Sequence, residues 1–306
     1  MKKKIFIFLA VIFILPACSK KVNEILFAPY SKSHVFLIGL DAWGGYSFEK
    51  SDMPVVEEVI ANGAHTFKAI DEMPSVTIVN WASMFMGATP DEHGYHRNDD
   101  AIREPPYTHT DEYGSFPSVF TVLKKARPEL EVAYFYEKVK IGGLCPDGVI
   151  DNKQQLALSY SNSAVETVCD YIKAKKPDFA AIVFQEPDST GHSMGHDTSQ
   201  YYDMLKELDA KIAEIIQAIK DAGIWNNTVL ILSSDHGGIG YNHGGDTPQE
   251  REIPFIISGK NIKKGYEITS DVSICAVAAT VVYILGIEPS EHWNTLKARN
   301  VQEAFK

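Results

Sequence analysis

Cysteine is scarce in this sequence, which has only four in its 306 residues, and no two of them form a CxxC pair. So few cysteines exclude a fold held together by a disulfide scaffold. Because no CxxC element is present, we expect Cys145, Cys169 and Cys275 to be small buried core residues rather than ligands or nucleophiles.

Positive charge is also scarce. Lys and Arg total 29 against 40 Asp and Glu, which gives a formal net charge of -11. Such a chain repels polyanions, so extended nucleic acid is a poor candidate partner. An acidic balance suits a protein that binds divalent metals, although a solvated acidic surface gives the same composition. With 45% apolar residues, the chain can bury a substantial core.

The N-terminus has no apolar run long enough for a comfortable membrane span, yet it has the layout of a secretory signal. Three lysines at positions 2–4 precede an apolar run over 5–15, and the following LPAC tetrapeptide, which ends at Cys18, resembles a bacterial lipobox. We expect residues 1–17 to be a lipoprotein signal peptide and Cys18 to carry a lipid at the start of a tether over 18–33. The protein would then be exported as a membrane-anchored lipoprotein, periplasmic or on the cell surface. An ordinary signal peptide or an uncleaved anchor helix is the alternative.

Apolar runs of strand length alternate with segments of helical period between residues 34 and 306, without an internal repeat. The predicted strands cover residues 35–40, 66–70, 132–136, 179–184, 229–232 and 254–257. The predicted helices cover residues 53–62, 157–174, 200–221 and 272–285. This alternation predicts a single α/β domain over 34–306, with a mostly parallel central sheet and helices on both faces.

Acidic side chains follow three of the predicted strands. Asp41 follows the first strand, Glu186 and Asp188 follow the strand at 179–184, and Asp235 and His236 follow the strand at 229–232. The carboxyl ends of parallel strands lie along one edge of the sheet, where such folds bind their ligands. We therefore expect these side chains to meet at one edge.

Six candidate metal ligands belong to this pattern: Asp41, Asp188, His192, Asp235, His236 and His243. Three carboxylates and three imidazoles suffice for two metal sites, and zinc accepts this mixture of ligands. Taken singly, an Asp after a strand is usually a turn or helix cap, and a lone His is usually a satisfied surface or core residue. Taken together, the six predict two zinc ions (Zn2+) per chain.

A candidate nucleophile lies where a short strand leads into a helix. Thr77 would sit near the helix N-terminus, where the helix dipole and free amides favour an anionic oxygen or a phosphate. Coordination to zinc would lower the pKa of its hydroxyl, while a second zinc ion would hold a substrate oxygen. Thr77 could equally be a helix cap, and Ser75 is a rival nucleophile two residues away.

The chain resembles the alkaline phosphatase superfamily, and in particular its nucleotide pyrophosphatase/phosphodiesterase branch. Residues 186–195, EPDSTGHSMG, are similar to that branch's EPDxxGHxxG signature, and residues 234–238, SDHGG, to its DHG motif. The resemblance implies an alkaline-phosphatase-like fold and two zinc sites. One site would consist of Asp188, His192 and His243, and the other of Asp41, Thr77, Asp235 and His236.

The resemblance also implies roles around the phosphoryl group. The branch's TFPN segment, HG pair and later Asn correspond here to residues 77–80, 93–94 and 98, a register that selects Thr77 over Ser75 as the nucleophile. It assigns Asn98 to a non-bridging phosphoryl oxygen. A neutral amide favours the singly charged diester over the doubly charged monoester, although Arg97 and Arg103 could supply a cation.

The function implied is hydrolysis of a small phosphate ester, with phosphodiester cleavage preferred. A phosphomonoesterase, a phosphonate hydrolase and a catalytically inactive, ligand-binding surface lipoprotein are the alternatives. No Cys-x-Pro-x-Arg segment is present, which argues against a sulfatase. Only six residues separate His236 from His243, where eukaryotic members carry a long insert, so their nucleotide specificity does not carry over. Residues 99–116 form either part of a lid or rim over the site or a plain surface loop.

Overall fold

The computed structural model describes residues 33–98, 107–158 and 162–306, and its strands form one eight-stranded sheet. Residues 1–17, for which we predict a signal peptide, lie outside the described residues, as do Cys18 and Arg103. The strands are β1 (His34–Asp41), β2 (Gly63–Ile70), β3 (Val132–Tyr136), β4 (Asn152–Gln155), β5 (Phe179–Pro187), β6 (Thr228–Ser233), β7 (Glu252–Gly259) and β8 (Tyr266–Glu267).

The spatial order of the strands is β4-β3-β5-β1-β6-β7-β2-β8. Strand β7 runs antiparallel to both of its neighbours, β6 and β2, whereas every other neighbouring pair is parallel. The prediction of a mostly parallel sheet is therefore confirmed. Strand β4 was not predicted, because its sequence, NKQQ, is polar. It lies at the edge of the sheet, where a strand has a neighbouring strand on one side and need not be apolar.

Helices cover both faces of the sheet, as predicted. They are α1 (Pro54–Ala61), α2 (Thr77–Met86), α3 (Pro90–His93), α4 (Val119–Ala126), α5 (Val139–Gly142), α6 (Asn162–Lys175), α7 (Asp188–Met194), α8 (Ser199–Asp221), α9 (Pro248–Arg251) and α10 (Ala276–Ile284). Short 3-10 turns occupy Gly45–Lys50, Trp225–Asn227 and Gln302–Ala304. None of the described helices is both long enough and apolar enough to cross a membrane.

Alternation along β1 shows how the two cores form. Val35 and Leu37 join α2, α4 and α10 on one face, whereas Phe36 and Ile38 join α1, α6 and α8 on the other. Both sides of the central strands are thus buried, which explains their continuous apolar sequence. Cys145, Cys169 and Cys275 are free and buried, as expected.

Two predicted helices begin later than their sequence pattern suggested. Residues 157 and 158 are not helical, and helix α6 spans Asn162–Lys175. Helix α10 begins at Ala276 rather than at residue 272, because the preceding residues pair with the end of β2. The Ile70 amide donates to the Val272 carbonyl, and the Ile274 amide donates to the Ile70 carbonyl.

The topology brings the three predicted acidic ends together. Strand β1 lies between β5 and β6 and is parallel to both, so their carboxyl ends are adjacent. Asp41 is the last residue of β1, Asp188 follows β5 directly, and Asp235 follows β6 after one further residue. The expectation that these carboxylates share one sheet edge is met.

Candidate metal centre

The first group of polar side chains lies after β5 and consists of Asp188, His192 and His243. Asp188 begins α7, and His192 follows one turn later on the same helix face, with its Nε2 3.4 Å from Asp188 Oδ1. His243 comes from the loop after β6 and places its Nε2 3.5 Å from the same oxygen. A helical turn and a distant loop thus converge on one carboxylate oxygen.

The second group consists of Asp41, Asp235 and His236, at the ends of β1 and β6. All three side chains are buried. His236 Nε2 lies 3.4 Å from Asp235 Oδ2 and 3.8 Å from Asp41 Oδ1. The rings of His236 and His243 stack with their centroids 3.9 Å apart, so the two groups lie side by side.

Each of the three imidazoles is oriented by a backbone carbonyl near its Nδ1 atom. The pairs are His192 with Tyr241 at 2.9 Å, His236 with Gly237 at 2.7 Å, and His243 with Ser75 at 2.9 Å. Because a carbonyl oxygen only accepts, Nδ1 carries the proton and donates it. The lone pair on Nε2 then faces the carboxylates, which is the tautomer and orientation in which an imidazole binds a metal ion.

One oxygen of each aspartate has no hydrogen-bond partner among the described residues: Asp41 Oδ1, Asp188 Oδ1 and Asp235 Oδ2. These are the same oxygens that face the imidazole Nε2 atoms. A buried carboxylate oxygen without a donor is costly. Cations held between these oxygens and the Nε2 atoms would supply the missing partners, so the donor set fits two metal ions that accept mixed oxygen and nitrogen ligands.

Burial sets the protonation of His236 and His243. It lowers the pKa of His236, and together with the neighbouring His236 ring it lowers the pKa of His243 to about 4. Both rings are therefore neutral at neutral pH, which is the form that binds a metal. Burial and the nearby Asp41 carboxylate raise the pKa of Asp235 well above its ordinary value, a repulsion that a cation between the two carboxylates would relieve.

The two candidate nucleophiles point to different surroundings. Thr77 is the first residue of α2, and its Oγ1 lies 3.4 Å from His236 Nε2. The Ser75 hydroxyl instead contacts the Asp71 carboxylate and lies 2.8 Å from the Glu250 carbonyl oxygen. Of the two hydroxyls, that of Thr77 faces the ligand groups, at a helix N-terminus whose free amides favour an anion.

Asn98 lies beside the same helix N-terminus. Its Oδ1 accepts a hydrogen bond from the Ile78 amide at 3.3 Å and another from Lys140 Nζ at 3.0 Å. These two donors fix the carbonyl end of the amide, so the NH2 end is directed away from them and is able to donate to an anion. Arg97 is exposed. Asn98 is a neutral donor as expected from its residue type, but Lys140, which the sequence analysis did not consider, brings a cation into contact with it.

Lys138 is a second cation that the sequence analysis missed. It follows β3, and its Nζ lies 2.9 Å from Asp41 Oδ2 and 2.6 Å from Asp188 Oδ2. Burial alone would raise the pKa of Asp188, but the Lys138 ammonium lowers it below its ordinary value. The signal was present in the sequence, because β3 is a fourth parallel strand whose carboxyl end carries polar residues, Glu137 and Lys138.

Comparison with known proteins agrees with this geometry. Residues 35–248 match the family model of type I phosphodiesterase/nucleotide pyrophosphatase. The chain is 24% identical over 219 residues to a venom phosphodiesterase of Macrovipera lebetinus, an alignment that covers 68% of this chain and 26% of that protein. It is also 24% identical over 241 residues to human ectonucleotide pyrophosphatase/phosphodiesterase family member 5, covering 75% and 50%. The chain thus spans about a quarter to a half of the length of these curated relatives.

Solved structures show the same fold. Murine ectonucleotide pyrophosphatase/phosphodiesterase 5, in an inactive form in complex with AMP, superposes with a TM-score of 0.71 at 16% identity, covering 90% of this chain and 100% of that chain. A 2-O GAG sulfatase superposes with a TM-score of 0.68 at 15% identity, covering 90% and 76%. At such low identity, these similarities establish the alkaline-phosphatase-like fold alone.

Proposed function

Since this chain belongs to the type I phosphodiesterase/nucleotide pyrophosphatase family, we propose that it is a two-zinc hydrolase that cleaves phosphodiesters with Thr77 as the nucleophile. The observation that carries the proposal is the position of the Thr77 hydroxyl, 3.4 Å from His236 Nε2 and beside two groups of metal-ligand type. Residues 34–306 would form the single catalytic domain.

In this proposal the two groups divide the metal ligands between them. Asp188, His192 and His243 would hold one zinc ion, while Asp41, Asp235 and His236 would hold the other together with Thr77. Zinc supplies a lowered hydroxyl pKa and compensation for negative charge on phosphoryl oxygens. The donor set supports this assignment, because it offers one free oxygen from each aspartate and one Nε2 from each imidazole.

The residues of the chain then perform the displacement. The Thr77 hydroxyl releases its proton to solvent, and Oγ1 attacks phosphorus as the bond to the leaving-group oxygen breaks on the opposite side, so that the leaving group departs and takes up a proton. Water later attacks phosphorus and cleaves the Oγ1–phosphorus bond, and a proton returns to Oγ1 to restore the hydroxyl. The NH2 group of Asn98 donates to a non-bridging oxygen, and the first amides of α2 favour the same anion. These groups all lie around the start of α2.

A second candidate activity is hydrolysis of a phosphomonoester. The observation that favours it is the contact between Lys140 Nζ and Asn98 Oδ1, which brings a cation close to the position proposed for a phosphoryl oxygen. A doubly charged monoester would gain more from that cation than a singly charged diester. AMP is bound in the murine relative's structure, so a nucleotide is one phosphate ester worth testing here.

We also propose that the protein acts outside the cytoplasm, anchored in a membrane by a lipid on Cys18. The support is the lipobox-like sequence that follows the basic and apolar N-terminal segment. Mass spectrometry of the protein isolated from membranes would test this proposal. A diacylated N-terminal cysteine is the expected result, whereas an uncleaved Met1 or an unmodified thiol contradicts it.

Activity and metal content together test the enzymatic proposal. Protein purified after expression with zinc should contain about two zinc ions per chain and should hydrolyse bis(p-nitrophenyl) phosphate faster than p-nitrophenyl phosphate. Removal of zinc with a chelator should abolish both activities, and readdition should restore them. A strong preference for the monoester would favour the second candidate, and protein that takes up no zinc would refute the mechanism.

A further inference from the structure

Lys138 contacts both ligand groups at once, and no other described lysine or arginine forms an ion pair with either Asp41 or Asp188. It lies between β3 and α5, and only 12% of its side chain is exposed. Its ammonium lies 2.9 Å from an oxygen of Asp41 and 2.6 Å from an oxygen of Asp188. One buried cation therefore connects a carboxylate of the second group to a carboxylate of the first.

The ammonium and the imidazoles use different oxygens of these carboxylates. Lys138 contacts Oδ2 of both Asp41 and Asp188. The Oδ1 atoms are the ones without a hydrogen-bond partner among the described residues, and they face the Nε2 atoms of His236 and His192. Metal ions bound through Oδ1 would leave the lysine contacts in place, so Lys138 need not compete with them for the same atoms.

We infer that Lys138 is a positioning residue that holds Asp41 and Asp188 in one relative orientation and presents one free oxygen of each to its own metal ion. This inference rests on the two-zinc site proposed above. Each carboxylate is held on one side by the ammonium, Asp188 by a charge-assisted hydrogen bond and Asp41 by an ion pair, so rotation about its terminal bond would break a buried contact. Lys138 thereby orients one ligand of each of the two proposed metal sites.

Two effects of the ammonium oppose each other. Its charge repels a bound metal ion, which alone would weaken zinc binding. Its contacts with Asp41 and Asp188 orient these ligands, and its charge offsets part of that of three buried aspartates, which strengthens binding. The second effect should dominate, because the contacts at 2.6 and 2.9 Å are made to the ligands themselves, and loss of such supporting contacts typically costs about 10- to 100-fold in metal affinity.

Replacement of Lys138 should lower the zinc affinity of the two sites unequally. Asp41 Oδ2 forms an ion pair with Lys138 but accepts its hydrogen bond from Trp81 Nε1 at 3.4 Å. Among the described residues, Lys138 is the one hydrogen-bond donor to Asp188 Oδ2. Without the lysine, Asp41 keeps a partner and Asp188 loses its own. The site of Asp188, His192 and His243 should therefore lose more zinc affinity than the site of Asp41.

The experiment is a zinc titration of the metal-free protein by calorimetry, with competing chelator, for wild type, Lys138→Met, Lys138→Arg and Lys140→Met. We expect Lys138→Met to weaken one of two sites by about 10- to 100-fold and the other by less. Lys138→Arg keeps the charge and donors and should restore most of the affinity. Lys140→Met is the matched control, since it removes a lysine two positions away that contacts Asn98 instead, and it should keep both affinities.

Two further backgrounds assign the affected site. Asp235→Asn weakens the second site and leaves the first to be measured, whereas His192→Ala weakens the first and leaves the second. Adding Lys138→Met should therefore cost more zinc affinity in the Asp235→Asn background. Circular dichroism of the metal-free proteins checks folding, and Lys138→Gln replaces Lys138→Met if the latter does not fold. Wild-type protein with two zinc sites and a Lys138→Met variant of equal or tighter affinity would overturn the role of Lys138 alone. Wild-type protein that binds no zinc would overturn the two-zinc proposal as well.

Discussion

Thr77 Oγ1 lies 3.4 Å from His236 Nε2, although 159 positions separate the two residues in the chain. The contact joins the start of α2 to the end of β6. Because His236 donates from Nδ1 to its neighbouring carbonyl, its Nε2 is an acceptor, and the Thr77 hydroxyl is the group that donates in this contact. A metal ion bound by His236 would take the lone pair of Nε2 and leave the threonine oxygen beside it.

Replacement of Thr77 should separate metal binding from turnover. Thr77→Ala removes the attacking oxygen but none of the six aspartate and histidine ligands, so we expect zinc to remain and kcat to fall by about 1000-fold or more. Thr77→Ser keeps a hydroxyl at the same place and should retain measurable turnover. The measurements are zinc content and hydrolysis of bis(p-nitrophenyl) phosphate.

Ser75→Ala is the comparison that discriminates between the two candidate nucleophiles. Its hydroxyl contacts Asp71 and the Glu250 carbonyl, so its loss should cost about 1 kcal/mol of stability while turnover persists. Full activity in Thr77→Ala together with an inactive Ser75→Ala would reverse the assignment.

The sequence was sufficient to predict that the three aspartates converge, because the carboxyl ends of neighbouring parallel strands lie side by side. Asp41, Asp188 and Asp235 each follow an apolar run, and the order β5-β1-β6 makes those ends adjacent. The sequence alone did not show which groups Lys138 and Lys140 contact. A lysine after a strand is usually solvent-exposed, and only the folded chain shows that Lys138 is buried between two carboxylates.

The sequence pattern also did not predict the direction of β7. Its apolar run, IPFII, fits a buried strand in either direction, because periodicity carries no information on polarity. The connection over residues 234–251, which ends in α9, leads β7 back along β6, and the pair is antiparallel. The pattern thus predicted the strand and its burial but not the direction in which the strand runs.

Lys140 should influence which phosphate ester the protein prefers. Its contact with Asn98 Oδ1 orients the amide and places a positive charge near the proposed phosphoryl site. In Lys140→Met, we expect the rate for p-nitrophenyl phosphate to fall several-fold more than that for bis(p-nitrophenyl) phosphate, since each group's gain from the cation scales with its charge. The ratio of the two kcat/KM values measures this effect, and an unchanged ratio would show that Lys140 acts on Asn98 orientation alone.

His93 should make the metal-free protein sensitive to acid. Its buried ring accepts a hydrogen bond from the Tyr95 amide at Nδ1 and contacts Ser83 Oγ through Nε2. Burial lowers its pKa to about 3, so the unfolded chain binds a proton at a higher pH than the folded chain does. The stabilising contribution is present above the ordinary pKa of 6.5 and is lost progressively as the pH falls from there towards 3.

A urea-unfolding series between pH 7 and pH 4 would measure this contribution. We expect the unfolding free energy of wild type to fall more steeply with acid than that of His93→Asn, which keeps an acceptor for the Tyr95 amide but has no group that titrates in this range. Other buried histidines, including His196, whose pKa burial lowers to about 4, add to the slope in both proteins. Identical slopes would contradict a neutral, buried His93.

Gly39 should be required for the orientation of Asp41. A Cβ at this position would lie 2.2 Å from an atom of the Trp81 ring, and Trp81 Nε1 donates to Asp41 Oδ2 at 3.4 Å. Gly39→Ala would therefore push the indole away from the carboxylate, at a cost of about 1 to 3 kcal/mol of stability. Because Asp41 belongs to the group with Asp235 and His236, the second proposed zinc site should weaken while that of Asp188 keeps its affinity. Thermal unfolding and zinc titration of this variant check both effects, and Trp81→Phe, which removes the Nε1 donor but keeps an aromatic ring, separates loss of the hydrogen bond from displacement of the indole.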